Sequence, residues 1–175
     1  MKPALAASLA LCVCCVCVSP GAAQPAGSAP AGAARSIDPR LRPALGALQQ
    51  GDRAQAIHTL QPLAKEGITQ AQYLLGLALE STPGAQQDLP AAAGWYRRAA
   101  DAGDPAAQNN LGAMYYDGRG VARDDAQALR WYGAAADQGF VQAQHNLALM
   151  HGMGRGTAPD PVQMARWLQR AADGG

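Results

Sequence analysis

Cysteine is confined to positions 12, 14, 15 and 17 of the 175 residues. Everything after Cys17 is free of thiols, which excludes a disulfide framework, a cysteine nucleophile and a cysteine-based zinc site there. Glutamate occurs only as Glu66 and Glu80, and past residue 23 serine occurs only as Ser28, Ser36 and Ser81, so a Ser–His pair has little to be built from. The histidines are His58, His145 and His151. The last two are separated by about 600° around a helix, so they share no face, and no second ligand stands at a metal-binding spacing. Together these absences predict no enzyme, no cofactor and no metal site. Net charge is lacking too: 14 Lys and Arg stand against 13 Asp and Glu, whereas a nucleic-acid binder carries a basic stripe. Phenylalanine occurs once, and no stretch alternates apolar with polar residues for long enough to make a strand.

What is present begins with a leader pattern. Lys2 gives a minimal positive start, and Ala4 to Val18 form an apolar run broken only by Ser8. Pro20 and Gly21 follow, and Gly21 with Ala23 fits the small-x-small pattern before a cleaved bond. This predicts a secretory signal peptide over residues 1–23, with all four cysteines removed by cleavage after Ala23. The run is shorter than the roughly 20 residues of a spanning helix, and no later run is long enough, so no stable membrane insertion is expected after cleavage. Residues 24–38, dominated by Pro, Ala and Gly, read as a flexible linker that buries too little apolar surface to offset its ordering entropy.

The strongest signal is internal repetition. Trp95, Trp131 and Trp167 recur every 36 residues, as do Leu75, Leu111 and Leu147, and Ala71, Ala107 and Ala143. Asp52, Asp88, Asp124 and Asp160 extend the register to four units, together with Ala64, Ala100, Ala136 and Ala172 and with Gly67, Gly103, Gly139 and Gly175. Each unit reads as two helices. Asp104 is an N-cap with Pro105 in the first turn, and Ala107, Leu111, Met114 and Tyr115 fall on one helical face. Asp124 caps a second helix whose inner face is Ala128, Trp131, Tyr132 and Ala135. Gly76 and Gly112 allow the two helices of a unit to approach closely. The pairs Ala99–Ala100, Ala135–Ala136 and Ala171–Ala172 do the same between units, and the tryptophans fill the larger gaps. One helix pair cannot bury its apolar face alone, so stacked neighbours share a continuous core. The expected pairs are 40–49 with 52–66, 69–80 with 88–102, 105–116 with 124–138, and 141–151 with 160–173.

The stretch Ala107-x-x-x-Leu111-Gly112-x-x-Tyr115-x-x-Gly118-x-Gly120-Val121-x-x-Asp124, continuing to Ala128, Trp131, Ala135-Ala136 and Gly139, resembles the Sel-1-like repeat, a branch of the tetratricopeptide-like helical solenoids. The resemblance covers units 71–106, 107–142 and 143–175. The first departs at Leu79, Thr82 and Ala85, and the third at Ala148, His151 and Thr157. Residues 39–67 look like a degenerate tetratricopeptide-like pair with a tight turn before Asp52. The resemblance implies an all-α fold, a right-handed α-α superhelix of stacked antiparallel helix pairs, and a role in protein–protein interaction.

Gly118-Arg119-Gly120 and Gly152-Met153-Gly154-Arg155-Gly156 suggest phosphate cradles. They follow no strand and carry no Gly-Lys-Ser/Thr, so they read as left-handed turns inside a repeat. In tetratricopeptide-like solenoids the first helix of each pair lines the concave side. Carried across by register, the partner-binding stripe is Tyr73, Leu77 and Glu80, then Asn109, Ala113 and Tyr116, then His145, Leu149 and Gly152. These positions are free of the repeat pattern and suit a protein or peptide segment. The expected role is an exported adaptor of a bacterial envelope, periplasmic or secreted; an abundance of Arg and Ala with little Lys fits a GC-rich gene. The alternatives are a secreted factor acting on a host and, more distantly, a periplasmic hydrolase.

Overall fold

The computed structural model describes residues 37–81 and 88–174. The signal-peptide reading, the linker up to residue 36, and Thr82 and Ala85 lie outside the described residues. A 3-10 turn, Pro39–Leu41, leads into α1 (Arg42–Gln49), followed by α2 (Arg53–Lys65), α3 (Thr69–Ser81), α4 (Leu89–Asp101), α5 (Pro105–Asp117), α6 (Asp125–Asp137), α7 (Val141–Met153) and α8 (Pro161–Gly174). No strand occurs among the described residues. Every expected helix is present, with ends displaced by no more than two residues. Asp38, which reads as linker, instead caps the 3-10 turn by accepting from the Arg40 N–H at 2.9 Å. Each helix packs on its sequence neighbours, giving a solenoid of stacked antiparallel pairs.

The aspartate column works as the register predicts. Asp52, Asp88, Asp124 and Asp160 each accept from the backbone N–H three residues on, at 3.0, 2.9, 3.0 and 2.9 Å. They satisfy one of the orphan donors of α2, α4, α6 and α8. Inside α3, α5 and α7 one face is buried in the same order. It consists of Ala71, Gln72, Leu75, Gly76 and Ala78 in α3, then Ala107, Gln108, Leu111, Gly112 and Met114 in α5, and Ala143, Gln144, Leu147, Ala148 and Met150 in α7. The buried glutamine follows a rule of its own. Its side-chain amide donates back to the preceding helix: Gln72 to the Ala64 carbonyl at 3.2 Å, Gln108 to Ala100 at 3.1 Å and Gln144 to Ala136 at 3.2 Å. Each of these carbonyls, which already accepts the N–H of Gly67, Gly103 or Gly139, thus gains a second donor, and three successive junctions carry the same rung.

Aromatic rings occupy the space that glycine leaves. A Cβ on Gly76 would stand 2.7 Å from the Tyr96 ring, and one on Gly112 would stand 2.9 Å from that of Tyr132. The third unit places Ala148 and Leu168 at these two positions: one methyl more on one side, a smaller side chain on the other. Trp131 is buried, whereas Trp95 and Trp167 are only half-buried. Each reaches the core of the preceding unit and lies under an arginine guanidinium: Arg98 at 4.5 Å, Arg130 at 5.3 Å and Arg170 at 4.7 Å. The tryptophans therefore fill gaps less uniformly than their spacing suggests. Ala99, Ala100, Ala135 and Ala136 are buried between units, but Ala172 is exposed and Ala171 half-buried. No further helix among the described residues packs on α8.

The Gly-Arg-Gly loops are struts between units. Gly118 and Gly154 take positive φ, 72° and 67°, and end α5 and α7. The loops close through Asp124 N–H to the Tyr115 carbonyl (3.0 Å) and Asp160 N–H to the His151 carbonyl (2.8 Å). The next glycine in each loop, Gly120 or Gly156, lies against the preceding even helix: a Cβ there would collide with the Leu89 carbonyl or the Asp125 carbonyl. The glycine spacing answers a backbone approach between repeats.

Candidate functional site

The residues that the register selects all lie on the odd helices α3, α5 and α7. Tyr73 is half-buried, packed on the second core cluster with its ring centroid 6.1 Å from that of Tyr96. Burial raises its phenol pKa, with the charges of Asp104 and Glu80 adding to the effect. Leu77 is half-buried on the same helix. Ala113 and Tyr116 are half-buried against the third core cluster. His145 and Gly152 are exposed, and Leu149 is 41% exposed. The stripe therefore runs from part-packed residues on α3 to open ones on α7.

Glu80 is held by two hydrogen bonds. Its carboxylate accepts from the Tyr96 hydroxyl at 2.7 Å and from the Arg119 guanidinium at 2.7 Å. Burial, then the bond to Glu80, raises the Tyr96 phenol far above its ordinary pKa. Asn110 acts in the opposite sense, lowering the Tyr96 phenol pKa. Asn109 donates to Asn110 at 3.4 Å, and Asn146 donates to Asn109 at 3.0 Å. Two groups of three side chains thus cross the repeat boundaries: Glu80, Tyr96 and Arg119, and Asn109, Asn110 and Asn146. Two of them, Glu80 and Asn109, belong to the register stripe; Tyr96, Asn110, Asn146 and Arg119 come from outside it.

Arg155 occupies the position in its loop that Arg119 occupies one unit earlier. Arg119 reaches Glu80, and Arg155 reaches the residue one unit on from Glu80, which is Tyr116. Its guanidinium lies 3.8 Å from the Tyr116 ring centroid and donates twice to Asp125, at 2.8 and 3.0 Å. The Arg155 bonds, then those of Arg123, hold the Asp125 carboxyl below its ordinary pKa. One geometric device therefore supports an ion pair in one unit and a cation–π contact in the next.

Two cavities open on this row. One, of about 110 Å³, is lined by Tyr116, Tyr132, Asn146, Leu149, Met150 and Met153. The other, of about 170 Å³, is lined by Ile37, Leu41, Leu45, Gln70, Tyr73 and Leu74. Leu149 and Met153 (52% exposed) are among the few large apolar side chains left open. No cluster of His, Cys, Asp and Glu suited to a metal occurs among the described residues. No described helix is long and apolar enough to cross a membrane.

A family model described as Sel1 repeat matches residues 69–104, 105–140 and 141–175. Among solved structures, the chain is similar to a protective antigen present in uropathogenic Escherichia coli strains that displays an SLR fold. That likeness has 35% identity and a TM-score of 0.73, and covers 78% of this chain and 30% of the other. It is also similar to a Sel1 repeat protein from Oxalobacter formigenes, with 33% identity and a TM-score of 0.65, covering 70% of this chain and 35% of the other. The chain spans about a third of the length of these solved relatives. No curated protein matches it.

Proposed function

Since the chain belongs to the Sel1 repeat family, whose repeats serve protein–protein interaction, we propose that it is an exported, non-catalytic adaptor of the bacterial envelope that holds a protein partner along its odd-helix row. The observation that carries this is the apolar opening at Tyr116, Leu149 and Met153. Leu149 and Met153 stand exposed there beside the half-buried Tyr116, and exposed apolar patches mark interaction sites. Export rests on the N-terminal leader pattern. A secreted factor that acts on a host is the second reading, favoured by the relative described as a protective antigen.

The test uses a photo-crosslinking residue placed at Leu149 or, as a control, at the exposed Arg166 on α8, in the full chain expressed in cells and followed by fractionation. A discrete adduct from Leu149, absent from Arg166 and found in the periplasmic fraction, is expected. Adducts in the medium alone favour the host factor. Equal labelling from both positions, or cytoplasmic retention, overturns the proposal.

A further inference from the structure

We propose, resting on the binding role above, that the α5–α7 cavity takes one branched aliphatic side chain of an uncharged, extended partner segment whose backbone amide pairs with Asn146. Size sets the anchor. An apolar cavity of roughly 150 Å³ accepts benzene, and this one holds about 110 Å³, which suits leucine, isoleucine or valine and excludes an indole. The walls agree: Tyr116 forms a flat side, while Met150 and Met153 are unbranched and adjust to an aliphatic guest.

Charge sets the rest of the segment. The charged side chains bordering the row are engaged within the protein: Glu80 by Arg119 and Tyr96, Arg155 by Asp125 with Tyr116 beneath it, and Asp117 by Arg119 at 3.6 Å. A charged residue entering the opening would be desolvated and would have to compete with these internal pairs for an opposite charge. What the rim does offer is the Asn146 side-chain amide, a group with both donor and acceptor capacity. A main-chain amide of an extended segment has the complementary pair. Asn146 is fixed for this by its bond to Asn109 at 3.0 Å.

A random 12-residue phage-displayed peptide library, selected on the full chain, tests this. Enriched peptides are expected to share one aliphatic residue among uncharged neighbours. As synthetic peptides, they should lose about ten- to fiftyfold in affinity when that residue becomes alanine, the scale of burying a few methylene groups. Leu149→Asp should lose binding to a similar extent, Asn146→Ala several-fold, and Arg166→Ala nothing, with circular dichroism unchanged for all three. Enrichment of acidic, basic or tryptophan-anchored peptides, or unchanged binding by Leu149→Asp, overturns the assignment. The two proposals fail separately. Crosslinks from Leu149 to a partner with failed peptide selectivity leave the adaptor standing without this ligand class. Absent crosslinks with correct peptide selectivity remove the adaptor and keep the cavity's specificity.

Discussion

Gly112 has no room for even one methyl group, because its missing Cβ position lies against the Tyr132 ring. Gly112→Ala is therefore expected to destabilise by about 1–3 kcal/mol, the usual cost of overpacking, despite alanine's better helix propensity. In a Tyr132→Leu background the same substitution should be neutral or favourable, because the third unit already pairs Ala148 with Leu168. Urea melts of the four proteins in this double-mutant cycle check it, and independent costs would show that Gly112 does not exist for Tyr132. At this scale the sequence was legible where register alone decides. Tyr116 and Leu149 were reached by counting from Leu111-Gly112, and both line the same cavity. Asn146, Arg119 and Arg155 were not reached. The contacts Asn146–Asn109, Arg119–Glu80 and Arg155–Tyr116 span 37 or 39 residues, offsets that follow from how one unit leans on the next and leave no periodic trace of their own.

Helices divide into caps and cores with different energetic weight. Asp124 caps α6 through one exposed hydrogen bond at 3.0 Å, so Asp124→Ala should cost about 0.5–2 kcal/mol. Trp131, on the same helix and 6% exposed, should cost about 3–5 kcal/mol as Trp131→Ala. Guanidinium melts of the two variants rank them, and the reverse order would mean that Asp124 has a second role. Element boundaries were readable because the aspartate caps that start helices, the glycines that end them and the buried face between all recur with one 36-residue period. The loops were less readable. Gly118-Arg119-Gly120 looks like a free turn in sequence, yet Gly120 is wedged against the start of α4, a contact that only stacked units create.

Tyrosine ionisation acts on the whole described array. Tyr96 and Tyr132, in different units, both have phenol pKa values raised, in each case first by burial. A raised folded-state pKa means that stability is fully present below the unfolded value of about 10 and is lost as pH rises above it. Lysine, which titrates in the same range, occurs only as Lys2 and Lys65, and arginine stays protonated, so the alkaline loss should report mainly on tyrosine. Urea midpoints measured at pH 7, 9 and 10.5 should hold between the first two and fall at the third. Tyr96→Phe should flatten that fall, and an unaltered slope would assign it elsewhere. The rung from each buried glutamine to the carbonyl eight residues before it has a consequence for heredity as well. Because every junction presents the same fitting, a gene can lose one copy without redesigning what remains. Excising residues 105–140 would bring Gln144 to the Ala100 carbonyl, Arg155 to Glu80 and Gly156 to Leu89, and would place Asp104 ahead of α7 in place of Phe140, which gives that helix no side-chain cap. The shortened protein is expected to fold with a single cooperative transition, as circular dichroism melts would record. Copy number is then the quantity selection can change most cheaply, with the reach of the odd-helix row changing in whole units rather than by residues.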